Sequence, residues 1–137
     1  SAGQRPVRFS AAHTRMASVT RFFSEAYDKK DMKPPEINAF KLSKDAKAGV
    51  KTIDLHINMH DEGGLGPMVI MQRGGGQIDA FVKDLDLKGK NKYSGTLTVK
   101  SPRPLVAGQP LIYIINIFDV NGNLSQQVIN ARVEANP

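Results

Sequence analysis

Neither cysteine nor tryptophan occurs among the 137 residues. Without cysteine there are no disulfides, no zinc–thiolate sites and no thiol nucleophiles. Without tryptophan the largest aromatic platform for stacking on a sugar is missing. No run of about 18 apolar residues is present, so nothing is expected to span a membrane as a helix. No signal-peptide pattern stands at Ser1, which is also how an excised fragment would look. The signatures of common catalysts are absent too. There is no Gly-x-Ser-x-Gly elbow, and Gly74-Gly75-Gly76 is not followed by the Lys-Ser or Lys-Thr helix start of a phosphate loop. The carboxylate pairs Asp61 with Glu62 and Asp84 with Asp86 fall in polar turns, where water keeps both groups ionised and unsuited to acid–base work. A noncatalytic chain that needs no cofactor is expected.

What is present suits one globular domain. The chain is 40% hydrophobic and 23% charged, with a formal net charge of +6. Positive charge can attract nucleic acid. Here it is scattered, and its densest run, Lys83, Lys88, Lys90 and Lys92, is interrupted by Asp84 and Asp86 and lacks an interleaved aromatic platform. Solvated lysines on a loop or edge are expected instead of a nucleic-acid interface.

Two periodicities divide the chain. Over residues 13–30, Met16, Val19, Phe22, Phe23, Ala26 and Tyr27 recur at three- and four-residue steps, which predicts an amphipathic helix. Ser10 is placed to cap it, and Lys29 and Lys30 suit its C-terminal dipole. Met32-Lys33-Pro34-Pro35 stops the helix and begins an extended segment. Residues 1–33 therefore read as an extension and 34–137 as a separate β domain.

From Glu36 the period becomes two. Strands are expected at 36–43, 51–60, 67–73, 77–83, 91–100, 110–118 and 125–134. In the second, Ile53, Leu55, Ile57 and Met59 alternate with Asp54, His56, Asn58 and His60, the pattern of a half-buried antiparallel strand. The sixth is apolar on both faces, as a central strand would be. About seven short strands with turn signals between them predict an all-β, two-sheet sandwich with Greek-key links, preceded by one helix. An α/β fold would need helices between the strands.

The segments PPEINAF, HDEGGLGPMVIMQRGGGQI and IYIINIFDVNGNLSQQVINARVE resemble bacterial immunoglobulin-like and fibronectin-III-like domains. Asp119, Gly122, Asn123 and Ser125 match the Asp-x-x-Gly-Asn-x-Ser corner before the last strand of such domains. The resemblance covers roughly residues 34–134. It implies an interaction or spacer module of a larger bacterial protein, compatible with a cell-surface, periplasmic or secreted setting. Some such domains accompany caspase-like peptidases, so a regulatory domain of an attached enzyme is an alternative.

Asp119-Val120-Asn121-Gly122-Asn123 raises the question of a cation loop. Asp and Asn bond their own backbone and Gly supplies positive φ, so the residues build a tight corner unaided. The glycine and glutamate spacing of a helix–loop–helix calcium site is missing. The loop at 61–66 is nevertheless expected at the same end of the sandwich, so Asp61, Glu62 and Asp119 are candidate ligands for a cation, or the end loops for a glycan. His56 and His60 are four residues apart on a strand, which separates their Cα atoms by about 13–14 Å. They read as surface polar groups, as does His13. Tyr93 and Phe81 are expected in the core.

The helix has two readings. It either packs on its own sandwich, covering an edge or one end, or presents Phe22, Phe23 and Tyr27 to a protein partner or neighbouring domain.

Overall fold

The computed structural model describes residues 32–74 and 77–136. The helix expected at 13–30, with Phe22, Phe23, Tyr27 and His13, lies outside these residues. No helix among the described residues is long and apolar enough to cross a membrane.

Seven strands follow one another: β1 Glu36–Leu42, β2 Thr52–His60, β3 Leu65–Gly74, β4 Gln77–Asp86, β5 Lys92–Lys100, β6 Pro110–Asp119 and β7 Leu124–Arg132. They form two antiparallel sheets, one ordered β1-β2-β5 and the other β4-β3-β6-β7. β1–β2, β3–β4 and β6–β7 are hairpins within a sheet, while the other three links cross between sheets. The sheets face each other and bury one core, so the two-sheet sandwich expected from the sequence is what the chain builds.

Alternation decides which side chains enter that core. From β2, Ile53, Leu55, Ile57 and Met59 point inward and are buried. From β6, Leu111, Tyr113, Ile115 and Ile117 meet them from the opposite sheet, joined by Met68 and Ile70 of β3. β2 and β6 are flanked on both sides, which is why they carry the most regular patterns. Two boundaries differ from the sequence reading. β3 begins at Leu65, two residues earlier than expected, because Leu65 N and O bond Lys90 and Gly89 and draw the loop into the sheet. β4 runs on to Asp86 through a bulge opposite Ile70. The bulge turns Phe81 away from the core: it pairs with Met71 on the outer surface and is 73% exposed, which overturns its expected burial. Tyr93 does pack against the core.

One end of the sandwich is closed by the 101–109 connection. Ser101 N and Leu105 N donate to the carbonyls of Lys51 and Val50, and Gly108 N to that of Val133. Leu105, Ala46 and Val133 are buried beneath it. The polar group reaching this end from inside is Gln72, an inward residue of β3. Its Oε1 accepts from Tyr113 Oη at 3.0 Å and its Nε2 donates to Ser101 Oγ at 2.9 Å. Ser101 Oγ in turn donates to the Arg103 carbonyl at 2.6 Å.

Candidate functional site

The opposite end gathers three loops: 61–64 between β2 and β3, 87–91 between β4 and β5, and 120–123 between β6 and β7. They are stitched together by main chain. Val120 N donates to Gly64 O at 2.9 Å, Gly89 N to Leu65 O at 2.7 Å, and Asp61 N to Asn91 O at 2.9 Å. The clearance is small: Gly64 has φ +109°, and a Cβ there would sit 2.8 Å from Gly89 O. The shared end expected for the 61–66 and 119–123 loops is therefore present.

Within this cluster Asp119 is fully buried and organises the corner. Its Oδ1 accepts from Asn121 N at 2.9 Å and Asn123 N at 2.8 Å, and its Oδ2 from Asn123 Nδ2 at 2.9 Å. Asp119 N donates back to Asn123 O at 2.9 Å. The carboxylate thus holds the N–H groups of the turn inward, spending its lone pairs on the corner itself. Asp61 behaves similarly, with Oδ2 accepting from Gly63 N at 3.0 Å. Glu62 is exposed, and Asn91 Nδ2 bonds its carbonyl at 2.9 Å. Among the described residues no group of three His, Cys, Asp or Glu side chains comes together in a way that could hold a metal ion.

The outer surface of the three-stranded sheet is polar apart from Ala39, which pairs with Asn58. Asp54, His56, Asn58 and His60 of β2 face outward between Asn38 and Lys41 of β1 and Ser94, Thr96 and Thr98 of β5. Thr98 Oγ1 donates to Asp54 Oδ1 at 2.6 Å, and His60 Nδ1 lies 3.4 Å from Glu36 Oε1. His56 and His60 point outward from β2 four residues apart, opposite Thr96 and Lys92 of β5.

The four-stranded sheet differs. Its register aligns outward residues in rows across the strands. Phe81, Met71, Ile114 and Val128 form one row, entirely apolar from edge to edge. On one side lies the row Asp84, Val69, Asn116 and Gln126, and beyond it the pairs Asp86–Pro67 and Phe118–Leu124. On the other side are Arg73, Ile112 and Asn130, with Asp79 bonded to the Arg73 guanidinium at 2.9 Å and 3.1 Å. Phe81 is 73% exposed, Val128 52% and Leu124 47%. Scattered surface hydrophobics are ordinary; here the apolar residues of four strands form one continuous row. The sequence signal for it was the sixth strand, apolar on both faces. Its outward residues Ile112, Ile114 and Phe118 lie half-buried on the outer face.

No protein-family model matches the chain, and no curated protein matches it in sequence.

Proposed function

We propose that this chain is a noncatalytic interaction module of a larger, bacterial protein, which works by holding another polypeptide surface against the outer face of its four-stranded sheet. The observation that carries this reading is the contrast between the two outer faces. One is polar but for Ala39, whereas the other carries the Phe81-Met71-Ile114-Val128 row. A spacer that met only water would gain nothing from that asymmetry. The finer fold reading is an immunoglobulin-like sandwich of fibronectin-III type. It is supported by the strand order β1-β2-β5 and β4-β3-β6-β7, and by Tyr113 near the start of β6, tied through Gln72 and Ser101 to the 101–109 connection. The end loops contribute less, since their carboxylates serve their own turns.

The test is photocrosslinking. Phe81 is replaced by benzoylphenylalanine, an aromatic of similar direction on an exposed position, and the full chain is irradiated in the cells that make it. A polypeptide adduct at position 81, from this chain or another, is the expected result. Irradiation yielding only reaction with water refutes the reading.

A further inference from the structure

Each sheet ends in two edge strands, β1 and β5 in one and β4 and β7 in the other. An open edge invites a further strand, and bulges, charges and inward-pointing lysines deter it. β1 has a bulge between Ile37 and Ala39 and carries Glu36 and Lys41. β4 has the bulge opposite Ile70, with Lys83 on the inner side, and carries Asp79, Asp84 and Asp86. β5 begins and ends in lysine, and Gly95, at φ +146°, breaks its extended backbone. β7 has none of these devices. Its 9 residues pair one to one with β6, without bulge, glycine or proline, and its single charge is Arg132, at the end.

Parity decides what that edge offers. In an antiparallel ladder, bonded and non-bonded pairs alternate. Asp119 N donates to Asn123 O at one end of the β6–β7 ladder, and Val133 N to Gln109 O at the other. Ser125, Gln127, Ile129 and Ala131 therefore spend their main-chain groups on β6. Leu124, Gln126, Val128, Asn130 and Arg132 turn theirs to the open side. The same parity puts Glu134 on that side, where its N donates to Ala46 O and its O accepts from Ala48 N. The edge is thus closed at residue 134. Among the described residues no strand pairs with it from Leu124 to Arg132.

A second copy fits this span by symmetry. Val128 is the middle residue of β7. A two-fold axis through it, perpendicular to the sheet, sets Val128 against Val128 of the second copy, Gln126 against Asn130, and Leu124 against Arg132. Every such pair joins residues whose main-chain groups face the open side, and no like charges meet. Moving the axis to Ile129 would set Leu124 against Glu134, which is already bonded. Moving it to Gln127 would set Arg132 against Gly122 of the turn. With the axis at Val128 the outward faces coincide. The Phe81-Met71-Ile114-Val128 row then runs on into the same row of the second copy.

We propose that this chain dimerises through β7, antiparallel and edge to edge about Val128, which fuses the two four-stranded sheets into one continuous sheet.

Sedimentation of the full chain should show a dimer that dissociates on dilution. Val128 is 52% exposed, so Val128→Lys should keep the circular dichroism of the parent. It sets two ammonium groups opposite each other at the axis and should weaken the dimer by about tenfold or more. The absence of cysteine allows a second, register-specific measurement. Bonded pairs bring Cα atoms to about 5.5 Å, within reach of a disulfide. Under mild oxidation Val128→Cys should crosslink with itself. Gln126→Cys and Asn130→Cys should crosslink with each other much faster than either does with itself. A chain that sediments as a monomer at every concentration overturns the proposal. So does a dimer that Val128→Lys leaves intact and that forms no disulfide at 128. If Val128→Lys fails to fold, the crosslinking pattern alone decides. The outcome is separate from the adduct at position 81, which lies on β4 at the far edge of the sheet.

Discussion

Removing the hydroxyl of Tyr113 probes a buried polar network inside the sandwich. The hydroxyl and the Gln72 side chain are both fully buried, and the hydroxyl donates to Gln72 Oε1 at 3.0 Å. In Tyr113→Phe the ring stays in place, but Gln72 Oε1 loses the donor that offsets its burial. Leaving a buried acceptor so exposed to desolvation costs about 1–3 kcal/mol. In a domain of roughly 100 residues each kcal/mol lowers Tm by about 4–8 °C, so a fall of about 4–24 °C is expected. Gln72→Met should cost a similar amount, because it orphans the tyrosine hydroxyl instead. The double variant is the decisive one. With both partners apolar only Ser101 remains, and it keeps its bond to the Arg103 carbonyl. The double variant should therefore lie above the sum of the singles by at least about 1 kcal/mol. Thermal melts of the four chains measure this directly. Additive losses, or a Tyr113→Phe chain that melts like the parent, would show that the network contributes little. The same tyrosine sets a pH dependence. Burial raises its pKa above the ordinary value of about 10. Because the folded value is the higher one, the contribution is fully present below pH about 10 and is lost as pH rises beyond it, when the unfolded chain ionises first. Stability should fall above that pH in the parent, and less steeply in Tyr113→Phe.

Other substitutions test other parts of the structure. Gly74→Ala should destabilise by about 3 kcal/mol or more, since φ is +83° and the new Cβ would lie 2.1 Å from Pro110 O. Gly108→Ala has a similar φ of +82° but nothing within 4 Å, so denaturant titration should show a loss of only about 1 kcal/mol. Asp119→Ala removes the acceptor for three N–H groups of the β6–β7 turn and should cost about 2–4 kcal/mol, while calcium should leave the Tm of the parent unchanged. A calcium-dependent rise in Tm would restore the end loops as a cation site.

Much of this was legible in the residues. Ile53, Leu55, Ile57 and Met59 announced an inward face because a strand turns alternate side chains the same way, whatever its neighbours. Asp119, Asn121, Gly122 and Asn123 announced a self-sufficient corner because their bonds are local. Phe81 was misplaced for the opposite reason. Its direction depends on a bulge near residue 82, and a bulge is a property of the pairing with β3, which no short stretch of β4 encodes. The apolar row was hidden in the same way: Phe81, Met71, Ile114 and Val128 come from four separate strands, and only the register lines them up.

Local chemistry thus settled the existence of the strands, the identity of the inward residues and the form of the corner at Asp119, since alternation and turn bonding act over a few residues. Register, strand order and the bulge in β4 arose from packing distant segments together. Those long-range choices separated a polar outer face from an apolar one, and the apolar face is where the function is proposed to reside.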